Sequence, residues 1–345
     1  MISIISCNQN KESGKNYLDK QQKNIELIKQ AEEDLLIGLS DAICYSGFRT
    51  GQHPDRGDGA INPSYQEIHE DLNIISKSFK LLRVYDSGEN SEMVLKVIKE
   101  NNIEIKVMLG IWLRAEISNH KNCEWLDSIP DEILRINKEL NIQEINKGIQ
   151  LAIEYPEIIV AVNVGNEALV DWTDHLVDVD TMISYVKQVK KSINQHVTVA
   201  ENYKWWANHG SALAKELDFI AVHVYPIWEN KDIDEGLSYT IENLLEVRNA
   251  LPESKIVISE AGWASIASEF GDRASEEKQL QYYNELMPWT REMNITTFIF
   301  EAFDEEWKGD PNNPLGAEKH WGLFTVDRKP KKVMHELYSY LNEKP

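Results

Sequence analysis

Two glutamates close two apolar runs in this chain. The first run is Ile159-Val160-Ala161-Val162-Asn163-Val164-Gly165-Asn166-Glu167, and the second is Lys255-Ile256-Val257-Ile258-Ser259-Glu260-Ala261-Gly262-Trp263. β-Branched residues dominate both, and runs this apolar are buried on both faces, as in a parallel sheet. Each then breaks into a small or polar turn that carries one carboxylate. The C-terminal end of a parallel strand is where an α/β barrel places its chemistry. Two carboxyl groups facing each other there suit glycosidic bond cleavage: one protonates the leaving oxygen and the other attacks the sugar, about 5–5.5 Å away in a retaining reaction. The acid has to be protonated near working pH, through burial or a nearby negative charge. The nucleophile has to stay ionised, through hydrogen-bond donors.

The rest of the chain predicts a scaffold able to hold such a pair. Apolar strand-like runs occur at 35–43, 81–85, 104–109, 158–164, 197–201, 219–224, 256–259 and 297–300. Amphipathic helical patterns lie between most of them, at 64–79, 91–100, 142–154, 180–193, 233–250 and 276–292, and 331–341 reads as a closing helix. In the first pattern Ile68, Leu72, Ile75 and Phe79 share one face. Repeated strand–helix units imply a parallel sheet, and eight of them imply closure into a single (β/α)8 TIM barrel with its active site at the C-terminal strand ends. The fourth and seventh strands lie across such a barrel from each other, which brings Glu167 and Glu260 to one mouth. The rival, an open dinucleotide-binding sheet, lacks a Gly-x-Gly-x-x-Gly after any strand. Long irregular stretches at 46–63, 112–131 and 304–321 follow strands and belong to the same mouth. A polar tether over 1–30 precedes a catalytic domain over 31–345.

Composition narrows the partners. The chain has 345 residues, is 42% hydrophobic and carries a net charge of −21. That charge repels nucleic acids, anionic membranes and anionic polysaccharides, and a neutral substrate is easier to accommodate. The cysteines, Cys7, Cys44 and Cys123, are odd in number and form no Cys-x-x-Cys pair, so a disulfide framework is not expected. The histidines show no zinc-binding spacing. No metal, organic cofactor or partner protein is implied. Ile4-Ile5-Ser6-Cys7 resembles a bacterial lipobox, whose cysteine is lipidated. The expectation is an exported protein, periplasmic or at the cell surface, whose contact with a membrane is a lipid anchor at Cys7. The apolar stretch before Cys7 is short and lacks a basic start, so either Met1 lies inside a longer signal peptide or the match is chance.

The two glutamate motifs, Val164-Gly165-Asn166-Glu167 and Ser259-Glu260-Ala261-Gly262-Trp263, resemble the signatures of glycoside hydrolase family 17, the β-1,3-glucanases. Further segments resemble the bacterial members: Tyr45-Ser46-Gly47-Phe48-Arg49, Arg83-Val84-Tyr85, Val222-His223-Val224-Tyr225-Pro226, Phe300-Glu301-Ala302-Phe303-Asp304-Glu305 and Trp321-Gly322-Leu323-Phe324. The likeness covers about residues 35–341. Ala261 departs from it, standing where plant members usually carry threonine. The resemblance implies a (β/α)8 barrel with Glu167 as acid/base and Glu260 as the nucleophile that forms a covalent glycosyl-enzyme. It implies Asn166 as a ligand of the sugar 2-hydroxyl and Tyr225 as a support for the nucleophile. Tyr45, Arg49, Arg83, Tyr85, His223, Glu301 and Glu305 join the substrate-binding set. Glu301 and Glu305 have a second reading as a solvated acidic loop. Trp206, Trp228, Trp263 and Trp321 follow strand-like runs, and indole faces there suit sugar C–H faces. The expected substrate is a neutral β-1,3-glucan such as laminarin, cut within the chain. Transglycosylation with the same glutamates, or glucan binding without catalysis, are the alternatives.

Overall fold

Eight parallel strands close on themselves in sequence order: β1 (Asp41–Cys44), β2 (Leu81–Arg83), β3 (Lys106–Ile111), β4 (Ile159–Asn166), β5 (His196–Asn202), β6 (Ile220–Val224), β7 (Ile256–Ala261) and β8 (Thr297–Ile299), with β8 pairing back onto β1. The structure is a computed structural model, and it describes residues 27–55 and 58–337. Cys7, nearly all of the expected tether and the end of the closing helix lie outside the described residues.

Helices cross over between the strands. They are α1 (Tyr65–Ile75), α2 (Glu89–Asn101), α3 (Asp131–Glu154), α4 (Val179–Ser192), α5 (Tyr203–His209), α6 (Ser211–Ala214), α7 (Ile233–Ala250) and α8 (Glu276–Glu292), with α9 (Lys332–Leu337) after β8. The first shows why the sequence breaks where it does. Ser64 takes the N–H of Glu67 on its hydroxyl, and the Glu67 carboxylate takes the N–H of Ser64 in return. This reciprocal cap contributes about 1 kcal/mol. Ile68, Leu72 and Ile75 then face the barrel fully buried, each contributing about 1.5–3 kcal/mol.

Several boundaries differ from the sequence reading. Residues 35–40 are not strand: two short 3-10 turns, Glu32–Asp34 and Leu36–Gly38, precede β1, and Ile37 adopts φ 51°. Leu36 is buried and donates its N–H to Thr296, so this apolar run closes the bottom of the barrel. Helix α3 starts at Asp131, straight after Pro130, and not near residue 142. Its first turns expose Ile133 and Ile136, which blurs the apolar periodicity. The short helices α5 and α6 had no such period to betray them.

The tether also ends earlier than expected. Ile28 and Gln30 are buried. The Gln30 amide oxygen accepts the N–H of Ile256, its amide nitrogen donates to the Ile256 and Asn294 carbonyls, and Arg248 donates to the same amide oxygen. Gln30 therefore clasps the N-terminal ends of β7 and β8, opposite the strand ends that carry Glu167 and Glu260.

Candidate active site

Register shifts mark the strands that carry the site. Pairing slips between Asn163 and Asn166 on β4, between Val222 and His223 on β6, and between Ile258 and Ala261 on β7. Such bulges re-aim side chains at a barrel rim. Gly165 takes φ 77°, where a Cβ would meet the Met182 methyl at 2.8 Å, and Glu167 follows at φ 48°. Past the slip on β6, His223 is in register with Glu260.

Glu260 sits in a cage of donors. Its Oε1 accepts from Arg83 at 2.7 Å and from the Tyr85 hydroxyl at 3.0 Å, and its Oε2 accepts from the Tyr225 hydroxyl at 2.6 Å. Burial pushes this carboxyl up. The positive charge of Arg83, with the hydroxyls of Tyr225 and Tyr85, outweighs burial and holds it below the usual carboxylate range. It is therefore ionised at neutral pH.

Arg83 is the hub. It is fully buried, donates to the Ser259 carbonyl, to Glu260 and to His223 Nε2 through one nitrogen, and to Asn166 Oδ1 through the other. Arginine only donates, so His223 Nε2 accepts, and a neutral imidazole then carries its proton on Nδ1. Nδ1 lies 2.9 Å from Glu167 Oε1, while Nε2 lies 3.5 Å from Glu260 Oε1. One ring thus touches both carboxyl groups. Because Arg83 occupies Asn166 Oδ1, the Asn166 amide N–H₂ is the part left to meet a ligand. Glu167 itself is about a quarter exposed, against 8% for the Glu260 side chain.

The sequence profile of the BtgE/BtgC glycoside hydrolase domain matches residues 42–322. The chain belongs to this family. It is a glycoside hydrolase, and the matched span holds every residue of the cage just described. Among relatives, a "Glucan 1,3-beta-glucosidase" of Arthroderma benhamiae is 22% identical over 86% of this chain and 94% of its own length. A "Probable glucan endo-1,3-beta-glucosidase btgC" of Aspergillus terreus is 25% identical over 78% of this chain, which spans only 41% of that longer protein. An endo-laminarinase from Formosa Hel1_33_131 superposes with a TM-score of 0.75 at 26% identity, covering 90% of this chain and 89% of that one. A β-1,3-glucanosyltransferase from Rhizomucor miehei, at 21% identity and a TM-score of 0.65 over 88% and 97%, shares the fold.

The candidate site gathers Asn166, Glu167, Arg83, Tyr85, His223, Tyr225 and Glu260. Other expected ligands are placed elsewhere. The Tyr45 hydroxyl is buried on Asp71, and Arg49 pairs with Glu70 and Asp71, which Arg328 also holds. Both are consumed in a structural network beneath the first loop. Glu301 and Glu305 are no solvated loop: both are buried on either side of Lys308, at 2.5 and 3.1 Å. Ser46 and the Phe48 N–H bind Glu305 as well, tying the last loop to the first.

Three expected sugar platforms are also enclosed. Trp206 is fully buried and donates to the Ala221 carbonyl. Trp263 is fully buried against Tyr282 and donates to Arg273. Trp321, 1% exposed, packs between Tyr225 and Trp228. Of the four, Trp228 alone opens a face, 45% exposed beside Phe270.

Sequence reasoning missed Lys308, and also Glu318, whose carboxyl burial pushes up in a field that includes Glu260 and Glu167. It missed His175, whose Nε2 donates to the Asn166 carbonyl at 2.8 Å while its ring stacks on Trp112. None of these lies in a motif that ends a strand. Glu201 stands next to the last residue of one, β5, and that position was its signal.

Proposed function

We propose that this chain hydrolyses β-1,3 bonds within a neutral, laminarin-type glucan by double displacement, as a member of glycoside hydrolase family 17. The observation that carries the reading is the unequal housing of two neighbouring carboxyl groups. Glu260, ionised by its donor cage, attacks the anomeric carbon and forms a covalent glycosyl-enzyme. Glu167, more open and held by His223, gives its proton to the leaving oxygen and then takes one from the incoming water. The Asn166 amide donates to the 2-hydroxyl, a bond that strengthens as the transition state forms. Inverting pairs stand about 6.5–9.5 Å apart and retaining pairs about 5–5.5 Å. A contact shared on one imidazole favours the shorter spacing. The glucan-acting relatives support the substrate class, the Formosa endo-laminarinase supports internal cleavage, and the net charge of −21 favours a neutral polymer. Trp228 offers an exposed stacking face, packed against the Trp321 that adjoins Tyr225.

A product profile on linear and branched β-1,3-glucan tests this. Wild type is expected to give a ladder of short oligosaccharides, and Glu260→Ala to give none while still binding glucan. Near-normal turnover in Glu260→Ala would sink the nucleophile assignment. Glucose alone would replace internal with end-wise cutting, and products longer than a defined oligosaccharide would indicate transfer.

A further inference from the structure

The end of β5 carries a carboxyl group that this mechanism leaves unused. Glu201 is fully buried, so no substrate reaches it. Its neighbour Ala200 accepts the N–H of Glu167 at 2.9 Å. Glu201 Oε1 accepts the N–H of Leu169 at 3.0 Å, and the N–H of Ala168 also donates to this carboxyl. Three consecutive N–H groups, beginning with that of Glu167, therefore end on two adjacent residues of β5. From the other flank, His175 holds the Asn166 carbonyl. The segment so gripped is one that would not hold its shape unaided. Glu167 sits at φ 48°, a left-handed conformation that costs a residue with a Cβ about 1–2 kcal/mol.

We propose that Glu201 is a positioning residue for the acid/base: by binding the N–H groups just after Glu167, it fixes the direction in which the Glu167 side chain leaves the strand. This rests on Glu167 being the acid/base. An apolar side chain would fill the same space without the cost of burying a carboxyl group. Glu201 has no cationic partner among the described residues, and its Oε2 is buried with no partner at all. Burial first, and then the charge of Glu167, push this carboxyl well above its ordinary range. A neutral carboxyl keeps Oε1 as an acceptor and adds no charge beside the acid. Orientation is worth this much: a misplacement on the order of 1 Å costs about 100-fold in rate.

The test uses leaving-group dependence, because acid assistance matters for a sugar leaving group and little for dinitrophenolate. kcat/KM is measured on a laminari-oligosaccharide and on its 2,4-dinitrophenyl β-glycoside, for Glu201→Leu, Glu201→Gln, Glu167→Ala and the Glu201→Leu/Glu167→Ala double variant. Glu201→Leu is expected to lose about 10- to 100-fold on the oligosaccharide and to recover most of it on the aryl glycoside. Glu201→Gln, which keeps an acceptor oxygen, is expected to restore most of that loss. The double variant should be no slower than Glu167→Ala. Equal losses on both substrates, additive losses, or unchanged kinetics in Glu201→Leu would each overturn the proposal. Should Glu201→Leu not fold, Glu201→Asp withdraws the acceptor by one methylene and faces the same criteria. If Glu167→Ala itself shows no leaving-group dependence, the acid/base reading has failed, and the Glu201 proposal falls with it for that separate reason.

Discussion

Tyr225→Phe isolates one strut of the Glu260 cage. The hydroxyl lies 2.6 Å from Glu260 Oε2, while Arg83 and Tyr85 both serve Oε1. Phenylalanine keeps the ring where it packs, edge-on to Phe300 at 5.8 Å and near Trp321 at 5.2 Å. The change is therefore one hydrogen bond to a charged group, about 1.5–3 kcal/mol. At 1.36 kcal/mol per unit, that is a rise of about 1–2 units in the pKa of the Glu260 carboxyl. The sign follows from the cage. The wild-type carboxyl is held low, and removing a donor lets it protonate at higher pH. The acidic limb of the kcat/KM profile on soluble laminarin should move up by about 1–2 units. Stability follows by linkage. A carboxyl with a depressed folded-state pKa stabilises the fold above its unfolded value, and that contribution is lost as pH falls through the folded value. The variant should thus melt lower than wild type at neutral pH, with the gap closing on acidification. An acidic limb that stays in place in a folded variant would refute the reasoning.

Two further predictions separate surface from core. Trp206→Ala should cost about 3–5 kcal/mol of stability in denaturant unfolding and leave KM nearly unchanged, whereas Trp228→Ala should weaken glucan binding by about 1 kcal/mol in calorimetry with little change in melting. The reverse pattern would exchange their roles. Burial pushes the Cys44 thiol up to about 12, so peptide mapping after thiol labelling at pH 8 should find Cys44 unmodified in the native protein and modified in guanidinium. Labelling of native Cys44 would contradict the closed interior.

The barrel was legible because its signals are local. β-Branched runs and helical periods mark strands and crossovers wherever one face is buried, and both glutamates stand where those runs break. What stayed hidden depends on neighbours distant in sequence. Tyr45 and Arg49 look like site residues until Asp71 and Arg328 close around them. Trp206 and Trp263 follow strands as a platform would, yet each ring turns inward to a backbone carbonyl. The depth of a tryptophan depends on which helix packs over it, and no spacing rule encodes that. Lys308 was overlooked because one lysine in an acidic loop reads as solvated until Glu301 and Glu305 are seen to enclose it.

The Gln30 clasp has a practical consequence for handling the enzyme. Because Gln30 is bound to the starts of β7 and β8, the backbone reaches the barrel on the face away from the substrate mouth. A tag, bead or sensor surface coupled upstream of Ile28 would hold the molecule by its base and leave the mouth facing bulk solution. Capture through loop lysines such as Lys121, beyond β3 on the mouth side, would set the groove against the support. Immobilised through its N-terminal side, the enzyme should therefore meet a long polymer as readily as a short one.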